Sequence, residues 1–219
     1  MQNKFYLPLL LGTALLFTGC SKHSEQQTNT NQATEKSTQT VEQKPKIAPE
    51  DDPKLTGTPV LGFKLRDSTF DSVKSRLNNY QLDDNYVSYA DGPILENDGS
   101  GFEIAGLEKT VFHFNKDNKL VYVAMVLKES DPMSHETYKK IVNYIKKNGY
   151  KVTQVKAPFV GDQATYFATG KQEQISVQAP HMGGFKVYVE YSTDEYTQQK
   201  QAYLKQQQQQ KEDAESANF

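Results

Sequence analysis

Between residues 57 and 195 apolar side chains recur at two periods. Phe70, Val73, Leu77 and Tyr80 stand three or four positions apart. That is the spacing of one helical face, and it predicts a helix near Thr69–Asn79. Asp67 or Ser68 can cap it, and Asp71 in its first turn suits the helix dipole. Tyr138, Ile141, Val142 and Ile145 form a second stripe and predict a helix near Ser134–Asn148. Lys146 and Lys147 fall in its last turn, and Gly149 closes it. Elsewhere the period shortens to that of strands. Thr110–Phe114 and Leu120–Leu127 flank the polar turn Asn115–Lys119, which predicts a hairpin. Tyr86–Ala90 and Phe102–Ala105 are further strand candidates before it. After the second helix come Lys151–Lys156, Ala164–Ala168, Ile175–Ala179 and Phe185–Tyr191. The last two flank Pro180–Gly184, another turn-rich pentapeptide.

This order predicts an α+β fold with helices packed on antiparallel sheet, in one domain over residues 57–195. Val121-Tyr122-Val123 and Val187-Tyr188-Val189 follow their respective helices at similar distances. They suggest two tandem helix-plus-meander repeats, 57–130 and 131–195. The element order resembles the tandem helix-plus-four-strand architecture of β-lactamase-inhibitory proteins. More distantly it is similar to the BamE-type outer-membrane lipoproteins. By analogy these resemblances imply a protein-binding role.

Upstream of the domain the pattern changes. Lys4 precedes an apolar run from Phe5 to Phe17, broken only by Pro8, Gly12 and Thr13. A charged start, a short apolar run and small residues are the marks of a secretory signal peptide. A membrane-spanning helix needs about 20 apolar residues, more than this run supplies. Leu16-Phe17-Thr18-Gly19-Cys20 resembles the lipobox of bacterial lipoproteins, with Phe17 where that family prefers Leu. The resemblance implies a diacylglycerol on the sulfur of Cys20 and removal of residues 1–19 as signal peptide. Ser21, where an aspartate would favour inner-membrane retention, implies an outer-membrane position facing the periplasm in a Gram-negative host. Cys20 is also the only cysteine, which removes internal disulfides from consideration.

Residues 20–56 read as the lipidated cysteine and a disordered tether. Ser21 to Lys46 is Ser, Thr, Gln, Asn, Lys and Glu with only Ala33 and Val41 apolar, and Pro45, Pro49 and Pro53 follow. Such a coil reaches roughly 30–36 Å on average. Residues 196–219 read as a Gln-rich polar helical tail, with Ser192-Thr193-Asp194-Glu195 offering a capping box before it.

Composition narrows the chemistry. A net charge of −2 gives no basic footprint for nucleic acid. No nucleophile elbow, Walker loop or dinucleotide fingerprint occurs in the sequence. Asp98-Gly99-Ser100-Gly101 resembles part of a calcium loop, but Ile94 and Ala105 occupy its first and twelfth positions, so it reads as a turn. His113, His135 and His181 lack metal-ligand spacing, so neither metal nor cofactor is expected. His113 alternates with Phe112 and Phe114 and is expected on the wetter strand face. His181 and Met182 stand out, because a turn tip has little reason to show a methionine unless it packs or binds; they are the candidate partner contacts. The resulting expectation is a membrane-anchored envelope lipoprotein that binds another envelope protein without catalysis, as assembly factor, scaffold or inhibitor. An envelope hydrolase and a carrier of a small apolar ligand are the alternatives. Convergent polar groups in a pocket would favour the hydrolase, and a large apolar cavity the carrier.

Overall fold

A computed structural model describes Asp52 and residues 54–217. The lipobox-like segment, Cys20 and most of the tether lie outside the described residues. The described chain forms three helices, an eight-stranded antiparallel sheet and a two-stranded ribbon, an α+β fold.

The ribbon pairs β1 (Pro59–Val60) with β2 (Phe63–Lys64). Helix α1 (Phe70–Arg76) follows, with the box closed by Thr69 and Ser72. The expected caps are engaged elsewhere: the Asp67 carboxylate accepts the Gly57 N–H and the Ser68 hydroxyl accepts that of Lys64. Both therefore pin the ribbon, and the helix starts at the next available hydroxyl. Strands β3 (Tyr80–Leu82), β4 (Asp91–Asn97), β5 (Leu107–Asn115) and β6 (Leu120–Lys128) form a meander. Helix α2 (Glu136–Lys147) precedes a second meander of β7 (Lys151–Lys156), β8 (Gln163–Ala168), β9 (Glu173–Ala179) and β10 (Lys186–Thr193). Pairing of β6 with β10 joins the two into the order β3-β4-β5-β6-β10-β9-β8-β7. Helix α3 (Asp194–Ser216) follows directly and is capped by Thr193, the last residue of β10, whose hydroxyl accepts the Tyr196 N–H at 3.1 Å, while the Ser192 hydroxyl accepts from that of Thr197.

Two expected strands are not strands. At Tyr86–Ala90 the Ser88 hydroxyl accepts the N–H groups of Ala90 and Gly92, closing a tight turn. At Phe102–Ala105 successive local bonds, Ile104 N–H to Phe102 and Leu107 N–H to Ile104, fold the chain on itself. The strand in this region is β4, whose Gly92 and Pro93 make a bulge rather than a turn. A Cβ on Gly92 would sit 2.3 Å from the Phe114 and Asn115 carbonyl oxygens, so only glycine fits there.

One face of the sheet carries both α1 and α2 over a continuous core. Val73 and Leu77 from α1 and Tyr138, Val142 and Ile145 from α2 join Phe112, Phe114, Val123, Ile175 and Val189 in one buried cluster. Helix α2 begins two residues later than expected. Its first N–H groups are capped at a distance by Glu129, whose carboxylate accepts from Thr137 at 2.8 Å and Tyr138 at 3.1 Å. Burial raises the Glu129 pKa, but these backbone bonds outweigh it and hold the group below the ordinary carboxylate range. The ribbon is tied to β9 through buried Glu173, which accepts the Thr58 N–H at 3.0 Å and pairs with Arg66 at 3.3 Å.

Candidate binding surface

The strand order sets which loops meet. Because β10, β9, β8 and β7 are neighbours in reverse order, the β7–β8 and β9–β10 links lie at the same end of the sheet. The β6–α2 link joins them there, since β6 ends beside the start of β10. Hydrogen bonds fasten the three links together. The His181 N–H donates to the Asp162 carboxylate at 2.8 Å, and the Glu129 N–H donates to the Phe185 carbonyl at 2.8 Å.

His181 and Met182 therefore stand on the middle of three linked loops. Met182 is 91% exposed and does not tuck under α3 or a strand. Phe159 is fully exposed, and Val160, Phe185 and Met133 are also open to solvent. Five large apolar side chains on adjoining loops make more than scattered surface exposure. Phe185 has a further peculiarity. Its φ of 60° lies in the left-handed region, which costs a side-chain-bearing residue roughly 1–2 kcal/mol. The Glu129 bond to its carbonyl helps hold that conformation while the ring points outward.

Only Met182 and His181 of this group were legible as candidates in the sequence. Phe159-Val160 sits between Pro158 and Gly161, the same apolar-within-a-turn signal that singles out Met182. Phe185 reads as the first residue of a strand, and Met133 as part of a helix approach.

The other face of the sheet holds the most chemically suggestive cluster. His113, Tyr122 and Tyr196 pack together, with Tyr122 and Tyr196 stacked at 4.7 Å and His113 edge-on to Tyr122 at 5.0 Å. The Tyr122 hydroxyl donates to Glu190 at 2.6 Å, and the Tyr196 hydroxyl meets His113 Nδ1 at 3.0 Å. Tyr196 is 1% exposed, so these bonds seat the first turn of α3 on the sheet. His113 does lie opposite Phe112 and Phe114, but this face is covered rather than wet. Burial, aided by Lys200 against an opposing effect of Asp83, lowers the His113 pKa to about 4. His135 is elsewhere, as the left-handed N-cap of α2. Asp98 accepts from Ser100 within its turn and from Asn79.

The pKa of His113 makes a prediction. The unfolded value is about 6.5, so below it the unfolded chain takes up a proton that the folded chain refuses until about pH 4. Stability contributed by neutral His113 is whole above pH 6.5 and falls as pH drops toward 4, by up to about 3 kcal/mol. Urea midpoints across this window should slope down more steeply in the wild type than in His113→Phe. Identical slopes would show that His113 is not held neutral.

No protein-family model matches the chain, and neither a curated protein nor a solved structure is significantly similar to it.

Proposed function

We propose that the chain is a lipid-anchored lipoprotein of the cell envelope whose α+β domain binds another envelope protein without catalysis. The observation that carries the binding role is the group of exposed apolar side chains, Met133, Phe159, Val160, Met182 and Phe185, on three mutually bonded loops. Anchoring rests on the lipobox-like segment ending in Cys20, with the tether giving the domain reach from the bilayer. Methionine suits an adaptable contact, and aromatic rings supply large contact area at low entropy cost.

In this reading the domain is also a tandem duplication, each half a helix and a four-strand meander. The mirrored strand order about the β6–β10 seam supports it. The Val-Tyr-Val match supports it at two of three positions: Val123 and Val189 both belong to the core and Tyr122 and Tyr188 point to the opposite face, whereas Val121 joins the opposite-face cluster and Val187 the core.

Substitutions at the loop end test the reading. His181→Ser with Met182→Ser should reduce partner capture in intact cells at least tenfold while changing stability by no more than about 0.5 kcal/mol. Phe185→Asn should also reduce capture. Asparagine tolerates the left-handed region, so stability should hold or rise by up to about 1 kcal/mol. Full capture by these variants would remove the loop end from the interface. A large loss of stability would make the loops structural instead.

A further inference from the structure

Strand β7 (Lys151–Lys156) closes one side of the eight-stranded sheet, and all six of its residues are exposed. Strand β8 pairs with its inner row of backbone groups, and no backbone hydrogen bond from another element reaches its outer row among the described residues. An open row of N–H and C=O groups is a template for one more strand. The other edge, β3, offers only three residues.

The two faces of the β7 edge differ. Val152 stands opposite Phe167, and Val155 opposite Thr165. Phe167 belongs to the core, and the Thr165 hydroxyl meets that of Tyr138 from α2 at 2.7 Å, so both lie on the helix-bearing face. Residues three apart in a regular strand point to opposite faces, but the extra residue Thr153 bulges out of the pairing and lets both valines share one face. They are 38% and 56% exposed, so the core face ends in an uncovered apolar margin. Lys151 and Lys156 stand opposite Ala168 and Ala164, on the other face. Neither forms an ion pair among the described residues, and the residues paired next to them on that face of β8 and then β9 are uncharged. Asp162, the acid of the following link, already accepts the His181 N–H at 2.8 Å.

We infer that β7 receives an extended segment of the protein partner that alternates apolar and acidic residues and adds to the sheet as a ninth strand. Its apolar side chains continue the margin at Val152 and Val155, and its carboxylates meet Lys151 and Lys156 on the other face. Plain alternation suits this edge, because Phe167 and Thr165 of β8, two apart, already meet the two valines across the bulge. A second copy of the chain fits worse. Lys-Val-Thr-Gln-Val-Lys paired antiparallel with itself about its centre sets Lys151 against Lys156 at both ends. The lysines that repel a second copy attract an acidic strand. The inference rests on the partner-binding reading and deepens it, since β7 leads directly into the link that carries exposed Phe159 and Val160.

The test is anisotropy titration of a labelled, capped peptide of about eight residues alternating Val and Glu with the full chain carrying Cys20→Ala, joined to hydrogen exchange of the chain. A peptide alternating Val and Lys is the control. Saturable one-to-one binding of the Glu peptide is expected, at least about tenfold tighter than that of the Lys peptide, with slowed exchange of amides in residues 151–156. Lys151→Glu with Lys156→Glu should reverse the preference by about the same factor at an unchanged melting temperature. Val155→Lys should weaken the Glu peptide about fivefold by charging the apolar margin. His181→Ser with Met182→Ser should leave peptide binding within about twofold of wild type, so loss of the loop-end contact and loss of strand addition are read separately. No saturable binding, equal binding of the two peptides, a preference unmoved by the charge reversal, or binding without slowed exchange in β7 would each overturn the inference. So would slowed exchange in β7 that grows with protein concentration in the absence of peptide, which would mark a second copy on the edge.

Discussion

Cys20→Ala should leave the chain as an unlipidated precursor or release it from the membrane, with fatty-acid label lost in either case. The size of this effect follows from chain number. Each buried methylene contributes about 0.8 kcal/mol, and one acyl chain alone gives only marginal attachment. Two or three chains on one residue give stable attachment, so removing the sulfur should shift any chain freed of its signal segment from wholly bound to wholly unbound. Cys20 is the only cysteine, so no second thiol can take the lipid. Equal labelling of wild type and variant would refute lipidation at this residue.

Phe112→Ala should destabilise the domain by about 3–5 kcal/mol, and Ile145→Ala by about 2–5 kcal/mol. Phe112 is 0% exposed, with its ring edge-on to Phe63 at 5.6 Å, while Ile145 reaches the same cluster from α2 at 4% exposure. The two residues lie on opposite sides of the β6–β10 seam, but the cluster runs unbroken across it. Each truncation should therefore move one shared unfolding transition. Costs below about 0.5 kcal/mol, or two transitions of which each variant moves only one, would show that the seam divides the core.

Local pattern predicted the helices well and their ends less well. The stripe of Val73 and Leu77 and that of Tyr138, Val142 and Ile145 both face the core. The ends moved because capping groups were drawn into longer-range contacts: Asp67 and Ser68 into the ribbon, and Glu129 onto α2 from seven residues before its first turn. Gly92-Pro93 hid β4, since a glycine–proline pair reads as a turn until the close backbone of β5 is known. Met182 was legible as an oddity of its own loop. Its neighbourhood was not, because Phe159 comes to its end of the sheet only through the pairing of β8 with β9, and Met133 only through the non-local pairing of β6 with β10.

The binding role is tested most directly by photo-cross-linking in intact cells from a probe at residue 182, compared with one at Asp117 in the β5–β6 turn at the opposite end of the sheet. The account predicts a discrete protein adduct from residue 182, reduced by Phe185→Asn, and none from residue 117. Adducts of the same identity and yield from both positions, or none from residue 182 in a chain that is correctly anchored and folded, would contradict it.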